Sequence, residues 1–281
     1  MLVVRRSSRV RRLALLVAAV ALVALGCGDD GAEPSAGSPP SIITTTTALD
    51  GGTPVSGEIT VSAAASLTEA FTEIGADFRA AHPDASVTFT FDSSGALANQ
   101  IREGAPVDVF ASADEANMAG LVDAGLMDGA PTVVARNRLV IVTKPGNPAG
   151  IRSLADLADV GVVSLCGEQA PCGRFAASVL EKTGVQIPES SVTRGQNVKA
   201  TLTAVSEGDA VAGIVYATDA AAAGDAVETV AIPDDQNAVA VYPIGVLTAA
   251  GDVDVARAFV EYVVSEAGRL VLEEHGFLPP R

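Results

Sequence analysis

The chain has 281 residues, 48% of them hydrophobic and only 4% aromatic, with no tryptophan, and its 34 acidic against 18 basic residues give a formal net charge of −16. That balance disfavours nucleic acid and anionic lipid surfaces as partners, and the shortage of aromatic rings argues against a stacking platform for single strands or sugars. The length exceeds what one average domain needs, but the N-terminal part must be set aside before cores are counted.

Residues 1–27 read as a targeting segment. Arg5, Arg6, Arg9, Arg11 and Arg12 precede the apolar run LALLVAAVALVALG, which is too short to span a bilayer comfortably and matches a secretory signal. The chain is therefore expected to be exported. Gly26 before Cys27 resembles the end of a bacterial lipoprotein signal, although Ala24 and Leu25 stand in swapped order. Cys27 is expected to carry lipid and to anchor the protein to the outer face of the cell membrane. Residues 28–56, rich in Gly, Pro, Ser and Thr, read as a flexible tether. Without the signal, 13 basic residues face 34 acidic ones, a net charge of −21. An anionic ligand would have to be held by local donors.

From residue 57 onward, strand and helix patterns alternate. EITVSA reads as a strand, followed by Leu67, Phe71, Ile74 and Phe78 on one face of a helix. SVTFTF alternates as a strand, and SSGALANQIREGAP has a serine start and a Gly and Pro end, as a helix does. VDVFAS, RLVIVTKPG, VGVVSL and DAVAGIVYA read as further strands. RFAASVLEKTG, NVKATLTAVSEG and the terminal VARAFVEYVVSEAGRLVLEEHG read as helices. This order predicts an α/β protein with mainly parallel sheets. A new strand near Arg136 and a long extended run, VAVYPIGVL, point to two crossings between lobes. The expected division is a first lobe of residues 57–135 plus 245–281 and a second of residues 136–244.

Catalytic signals are weak. The two histidines, His82 and His275, both fall at helix C-termini and read as surface cap residues. Neither supplies a convincing base for a Ser or Cys nucleophile, and no nucleophile elbow or phosphate-binding lysine motif occurs. The stretch VSLCGEQAPCGRFA brings Cys166 and Cys172 close in sequence. A catalytic thiol, a metal site, a redox pair and a structural disulfide are all readings of such a pair. A structural zinc site needs four ligands, and a redox pair is normally Cys-x-x-Cys. With Cys27 committed to lipid, an even pair remains in an oxidising compartment, which favours a disulfide. Four strand-to-helix junctions stand out: Ser66 three residues before Glu69, with capping-box spacing; Ser93–Ser94; APCGRFA; and GQNVKA. Each could be plain capping, but together their free N–H groups and hydroxyls could converge on an anion.

The segments ITVSAAASLTEAF, FDSSGALANQIREGAPVDVFASAD, PCGRFA, NVKATLTAVSEGDAVAGIVYATDA and the terminal HGF resemble the molybdate-binding protein of bacterial ABC importers, over nearly all of residues 57–281. The resemblance implies a two-lobed type II periplasmic-binding-protein fold with a ligand cleft between the lobes, no cofactor, and no catalysis. It implies an oxyanion held by Ser66, Ser94, the backbone N–H groups of Cys172 and Val198, and Tyr216, with no direct metal ligands. The ligand would be molybdate, with tungstate as a second. The partners would be an ABC permease and its ATPase, and the receptor would act as a monomer. Asp92, beside the serine pair, departs from a donor-only site; capping or solvent exposure is its expected role. Sulfate or another tetrahedral oxyanion in the same fold is the near alternative. An exported enzyme using Cys166 or Cys172 is the alternative of a different class.

Overall fold

The computed structural model describes residues 55–281. The signal segment, Cys27 and all but the end of the tether lie outside the described residues.

Among the described residues, nine strands form one continuous arrangement in the order β2-β1-β3-β9-β4-β7-β5-β6, with β8 also on β4. Strand β1 (Gly57–Ala64) pairs in parallel with β2 (Ala85–Asp92) and β3 (Val109–Ala111). Strand β5 (Val163–Cys166) pairs in parallel with β6 (Val192–Gly195) and β7 (Ala212–Tyr216). Two long strands join these wings. The first half of β4 (Thr132–Thr143) pairs with β9 (Val239–Val246), while its second half pairs with β7 and with β8 (Glu228–Ala231). All the pairings of β4 and β9 are antiparallel, so the sheet is mixed rather than mainly parallel. The reason is geometric: a strand that passes between wings and returns must run against its neighbours, whereas βαβ units keep the parallel sense within each wing.

The helical face expected after β1 is present. Helix α1 (Thr68–Ala81) and the turn before it bury Leu67, Phe71, Ile74 and Phe78 at 0% exposure, each contributing roughly 1.5–3 kcal/mol of transfer free energy. They meet Phe259 edge-on, with ring centroids at 6.2 Å from Phe71 and 5.4 Å from Phe78. His82 is not on the surface: it is 4% exposed and its ring lies 4.5 Å from that of Phe78. Its backbone N–H still closes the helix on the Phe78 carbonyl at 2.8 Å, but the imidazole is drawn into the aromatic cluster. His275 does stand at a helix end, paired with Glu73 at 2.8 Å.

The remaining helices follow their strands: α2 (Ser94–Arg102), α3 (Glu115–Asp123), α4 (Pro171–Thr183), α5 (Val198–Ser206) and α6 (Ala217–Ala223). The terminal apolar run is two helices, α7 (Val253–Val264) and α8 (Glu266–Glu274), rather than one. Ser265 breaks it, adopting an extended ψ of 172° and accepting the Gly268 N–H on its hydroxyl. A side chain at Gly268 would collide with the carbonyls of Tyr262 and Val263, so glycine is what lets the second helix fold back this tightly.

Candidate ligand-binding cleft

The ends of β1, β2, β3, β5, β6 and β7 converge on a small, partly open cavity lined by Ala64, Ser66, Asp92, Ser94, Cys172 and Tyr216, with Asn197 and Val198 among its other walls. Every lining residue lies at or after the carboxyl end of a strand, where open α/β sheets place their ligands. All five residues expected from the sequence are brought together, at 0% to 4% exposure.

Ser66 reaches this position by a route other than capping. A short 3-10 turn, Ala65–Leu67, follows β1 and delays the helix, so Leu67 is the N-cap and makes no side-chain cap bond. Thr68 closes the turn by donating its hydroxyl to the Ala65 carbonyl at 2.7 Å. Ser66 Oγ instead lies 2.9 Å from Tyr242 Oη, and Glu69, the other half of the expected capping box, pairs with Lys199. At the second junction Ser93 is the N-cap, accepting the Ala96 N–H. This leaves Ser94 to accept the Ala113 N–H at 2.9 Å. With its oxygen engaged by an obligate donor, the Ser94 hydroxyl hydrogen remains for the cavity.

The two remaining helix starts supply backbone donors. Helix α4 begins with Pro171 at its first position and has no side-chain cap, so the Cys172 N–H is one of the donors without an intrahelical acceptor. Cys166 and Cys172 are joined by a disulfide, which fastens the end of β5 to this first turn. Both sulfurs are thereby consumed, and neither is free to act as a thiolate nucleophile or metal ligand. In α5, Asn197 is the N-cap and accepts the Ala200 N–H at 3.0 Å, leaving the Val198 N–H of the first turn without an intrahelical acceptor.

Tyr216 ends β7 with its ring edge-on to Phe175 and Tyr242. Its hydroxyl is buried and has no hydrogen-bond partner among the described residues. Burial pushes the phenol well above its ordinary pKa, so it remains an O–H donor. An unpaired buried hydroxyl costs about 1–3 kcal/mol, and at the wall of a cavity it identifies where an acceptor belongs.

The lining contains no Lys or Arg, and its one charge is the Asp92 carboxylate. Asp92 is half-buried and lines the cavity. It accepts the Ser93 N–H at 2.7 Å and the Asn197 side-chain N–H at 2.9 Å, linking the loop after β2 to the start of α5. Two ion pairs, unforeseen from sequence, link the same wings. Asp114 at the start of α3 holds Arg174 of α4, and Glu69 of α1 holds Lys199 of α5 at 2.7 Å. Lys199 also lies 3.0 Å from Asp219, which is fully buried. Burial raises the Asp219 pKa to about 6 against the pull of Lys199. Gly95 of α2 approaches the Gln169 carbonyl so closely that a Cβ there would lie 2.6 Å from it. Isolated acidic side chains carried no sequence signal for these pairings.

Neutral hydroxyls and free helix N–H groups around a small cavity can hold a fully ionised oxyanion by charge-assisted hydrogen bonds, without a cation. Two sheet wings joined by long crossing strands, with such a cavity between them, define a two-lobed solute receptor of the periplasmic-binding class.

The chain belongs to the family described as bacterial extracellular solute-binding protein, whose model matches residues 59–278. Its sequence is 42% identical over 223 residues to the molybdate-binding protein of Mycobacterium tuberculosis, covering 79% of this chain and 85% of that one. In fold it is similar to the periplasmic molybdate-binding protein of Azotobacter vinelandii (TM-score 0.71, 20% identity, 79% of this chain and 100% of that one). The sulfate-binding protein SubI of Mycobacterium tuberculosis matches as well (TM-score 0.71, 20% identity, 79% of this chain and 86% of that one). Equal structural scores for molybdate and sulfate receptors mean that the fold alone does not select the anion.

Proposed function

We propose that this protein captures molybdate outside the cytoplasm and delivers it to the permease and ATPase of an ABC importer. The observation that carries the reading is the buried, unpartnered Tyr216 hydroxyl on a cavity that Ser66 and Ser94 also line. The 42% identity to a molybdate-binding relative favours that anion over sulfate. In this reading Ser66, Ser94 and Tyr216 donate hydroxyls, and Cys172 and Val198 donate backbone N–H groups, to the four oxygens of one anion. Molybdate carries no proton near neutral pH, so it needs donors only. Tungstate, of the same shape and charge, is the second ligand.

The lobes of the receptor are residues 57–135 with 245–281 and residues 136–244, β4 and β9 being the connections that bend. Donors split between the lobes are satisfied together only when the cleft closes, so the anion shifts the open–closed balance toward the form that docks on the permease. In this reading the cleft binds and releases without catalysis, which the disulfide between Cys166 and Cys172 supports by leaving neither as a thiolate. Residues 1–27 direct export, lipid on Cys27 anchors the receptor to the outer face of the membrane, residues 28–56 act as a tether, and the receptor works as a monomer.

Calorimetric titration of the purified protein with molybdate tests this reading. One site per chain, competed by tungstate, is the expected result; no heat and no competition would refute it.

A further inference from the structure

The hydrogen-bond direction at Ser66 can be read from a chain of side chains behind it. Distance leaves the Ser66–Tyr242 contact ambiguous, since either hydroxyl could donate at 2.9 Å. Asn137, on β4, resolves it. Its Oδ1 accepts the Arg138 backbone N–H at 2.9 Å, and a backbone N–H can only donate. The other end of the amide is therefore its NH2, which points at Thr218 Oγ1 (2.8 Å) and Tyr242 Oη (3.4 Å). An amide NH2 has no lone pair to offer, so Tyr242 Oη accepts there. Asn137 is 1% and Tyr242 0% exposed. Ser66 Oγ, 2.9 Å away, meets hydrogen-bond geometry with Tyr242 Oη and accepts its hydrogen; the neighbouring Tyr216 hydroxyl does not meet that geometry. Were Tyr242 to accept from both sides, its buried hydrogen would be left unpaired, at a cost of about 1–3 kcal/mol.

We infer that Asn137 and Tyr242 are positioning residues that fix Ser66 as a donor toward the cleft and so make it favour fully ionised oxyanions over protonated ones. The chain runs from the Asn137 NH2 to Tyr242 Oη, from the Tyr242 O–H to Ser66 Oγ, and from the Ser66 O–H to the ligand. Ser94 is oriented in the same sense by the Ala113 N–H. A protonated anion such as hydrogen phosphate must donate one bond of its own; Ser66 and Ser94 so oriented offer it no acceptor, and at Asp92 two N–H groups occupy Oδ1, which leaves Oδ2 as the open acceptor of that carboxylate. Burial holds the Tyr242 phenol far above its ordinary pKa, so the chain does not lose its proton at physiological pH. The inference rests on the proposed oxyanion function and adds the residues that set its selectivity.

Two variants separate this role from packing. Tyr242→Phe keeps the ring and frees Ser66 to rotate; Asn137→Asp replaces the donor by an acceptor, which draws the Tyr242 hydrogen away and turns the Ser66 hydrogen toward Tyr242. Affinities for molybdate, sulfate and phosphate would be measured for both variants and the wild type, below and above the second ionisation of phosphate. Tyr242→Phe should weaken molybdate and sulfate about tenfold, the worth of one oriented bond to a charged group. Phosphate at the lower pH should be weakened less, so the molybdate-to-phosphate ratio shrinks. Asn137→Asp should shrink it further. An unchanged ratio in both variants, whether all anions are lost equally or none is affected, would overturn the relay. Failure of the wild type to bind molybdate would instead overturn the functional reading, and the sulfate-to-phosphate ratio would still test the relay.

Discussion

Replacing Tyr216 by Phe should move affinity and stability in opposite directions. The hydroxyl is buried without a partner in the protein, so its removal deletes one bond to the anion and one desolvated group in the closed cleft. A hydrogen bond to a charged group contributes about 1.5–3 kcal/mol, which converts to a loss of roughly 10- to 150-fold in molybdate affinity. The ring contacts to Phe175 at 6.5 Å and Tyr242 at 6.1 Å survive the substitution. The unliganded protein should therefore be at least as stable as wild type, and up to about 1–3 kcal/mol more so where the cleft stays closed and dry. For a domain of this size each kcal/mol shifts the melting temperature by roughly 2–4 °C. Calorimetric titration gives the affinity, and thermal unfolding with and without molybdate gives the stability. A variant that binds like wild type, or one whose unliganded melting temperature falls with its affinity, would refute the assignment of Tyr216 as a ligand donor.

Asp219 predicts a particular pH dependence. Its pKa rises from 3.8 to about 6 on folding, so the folded state binds the proton more tightly, and the stability this adds at low pH is lost as pH rises from about 4 through about 6. Asp219→Asn removes the titration, and the stability gap between the proteins should shift by on the order of 2–3 kcal/mol in the variant's favour across that window; a constant gap in denaturant melts would contradict it. Glu69→Gln breaks the 2.7 Å pair with Lys199 that joins the wings. Both side chains are partly exposed, at 41% and 28%, so the pair is worth less than about 1 kcal/mol and molybdate affinity should fall only about two- to fivefold. A loss above a hundredfold would mean that Glu69 does more than link the lobes. Replacing Cys166 and Cys172 together by Ser opens a loop whose ends are six residues apart and should cost roughly 2 kcal/mol in denaturant unfolding. Affinity should fall as well, because the first turn of α4 loses its fastening; unchanged binding would make the disulfide a matter of stability alone.

Local pattern carried much of this structure. The apolar stripe of α1, the serine start of α2 and the loop-to-helix junctions at Cys172 and Val198 are written in contiguous residues, and they contain three of the five candidate donors, Ser94, Cys172 and Val198. What the sequence did not disclose depends on distant partners. Strands β6 and β8 are four residues each and lack a buried alternating face; pairing with β5 and β4 makes them strands, where intrinsic preference would not. The break at Ser265 interrupts an apolar period that continues on both sides, so periodicity alone reads through it. The capping-box spacing of Ser66 pointed to the wrong partner, because its hydroxyl meets Tyr242, 176 positions away, and not the first turn of α1. Asn137, Tyr242, Asp114 and Asp219 owe their roles to tertiary placement, and Tyr242 sits unmarked in a strand recognised only as a crossing.

The most direct test of the account is thermal unfolding of the purified protein with molybdate, tungstate, sulfate and phosphate in turn, at matched concentration and ionic strength. A ligand at about 1,000 times its Kd stabilises by roughly 4 kcal/mol, a shift of about 8–16 °C for a domain of this size. Molybdate and tungstate should both produce such a shift, sulfate a smaller one and phosphate the least. Equal shifts for molybdate and phosphate, or none for molybdate, would contradict a site that favours a fully ionised oxyanion.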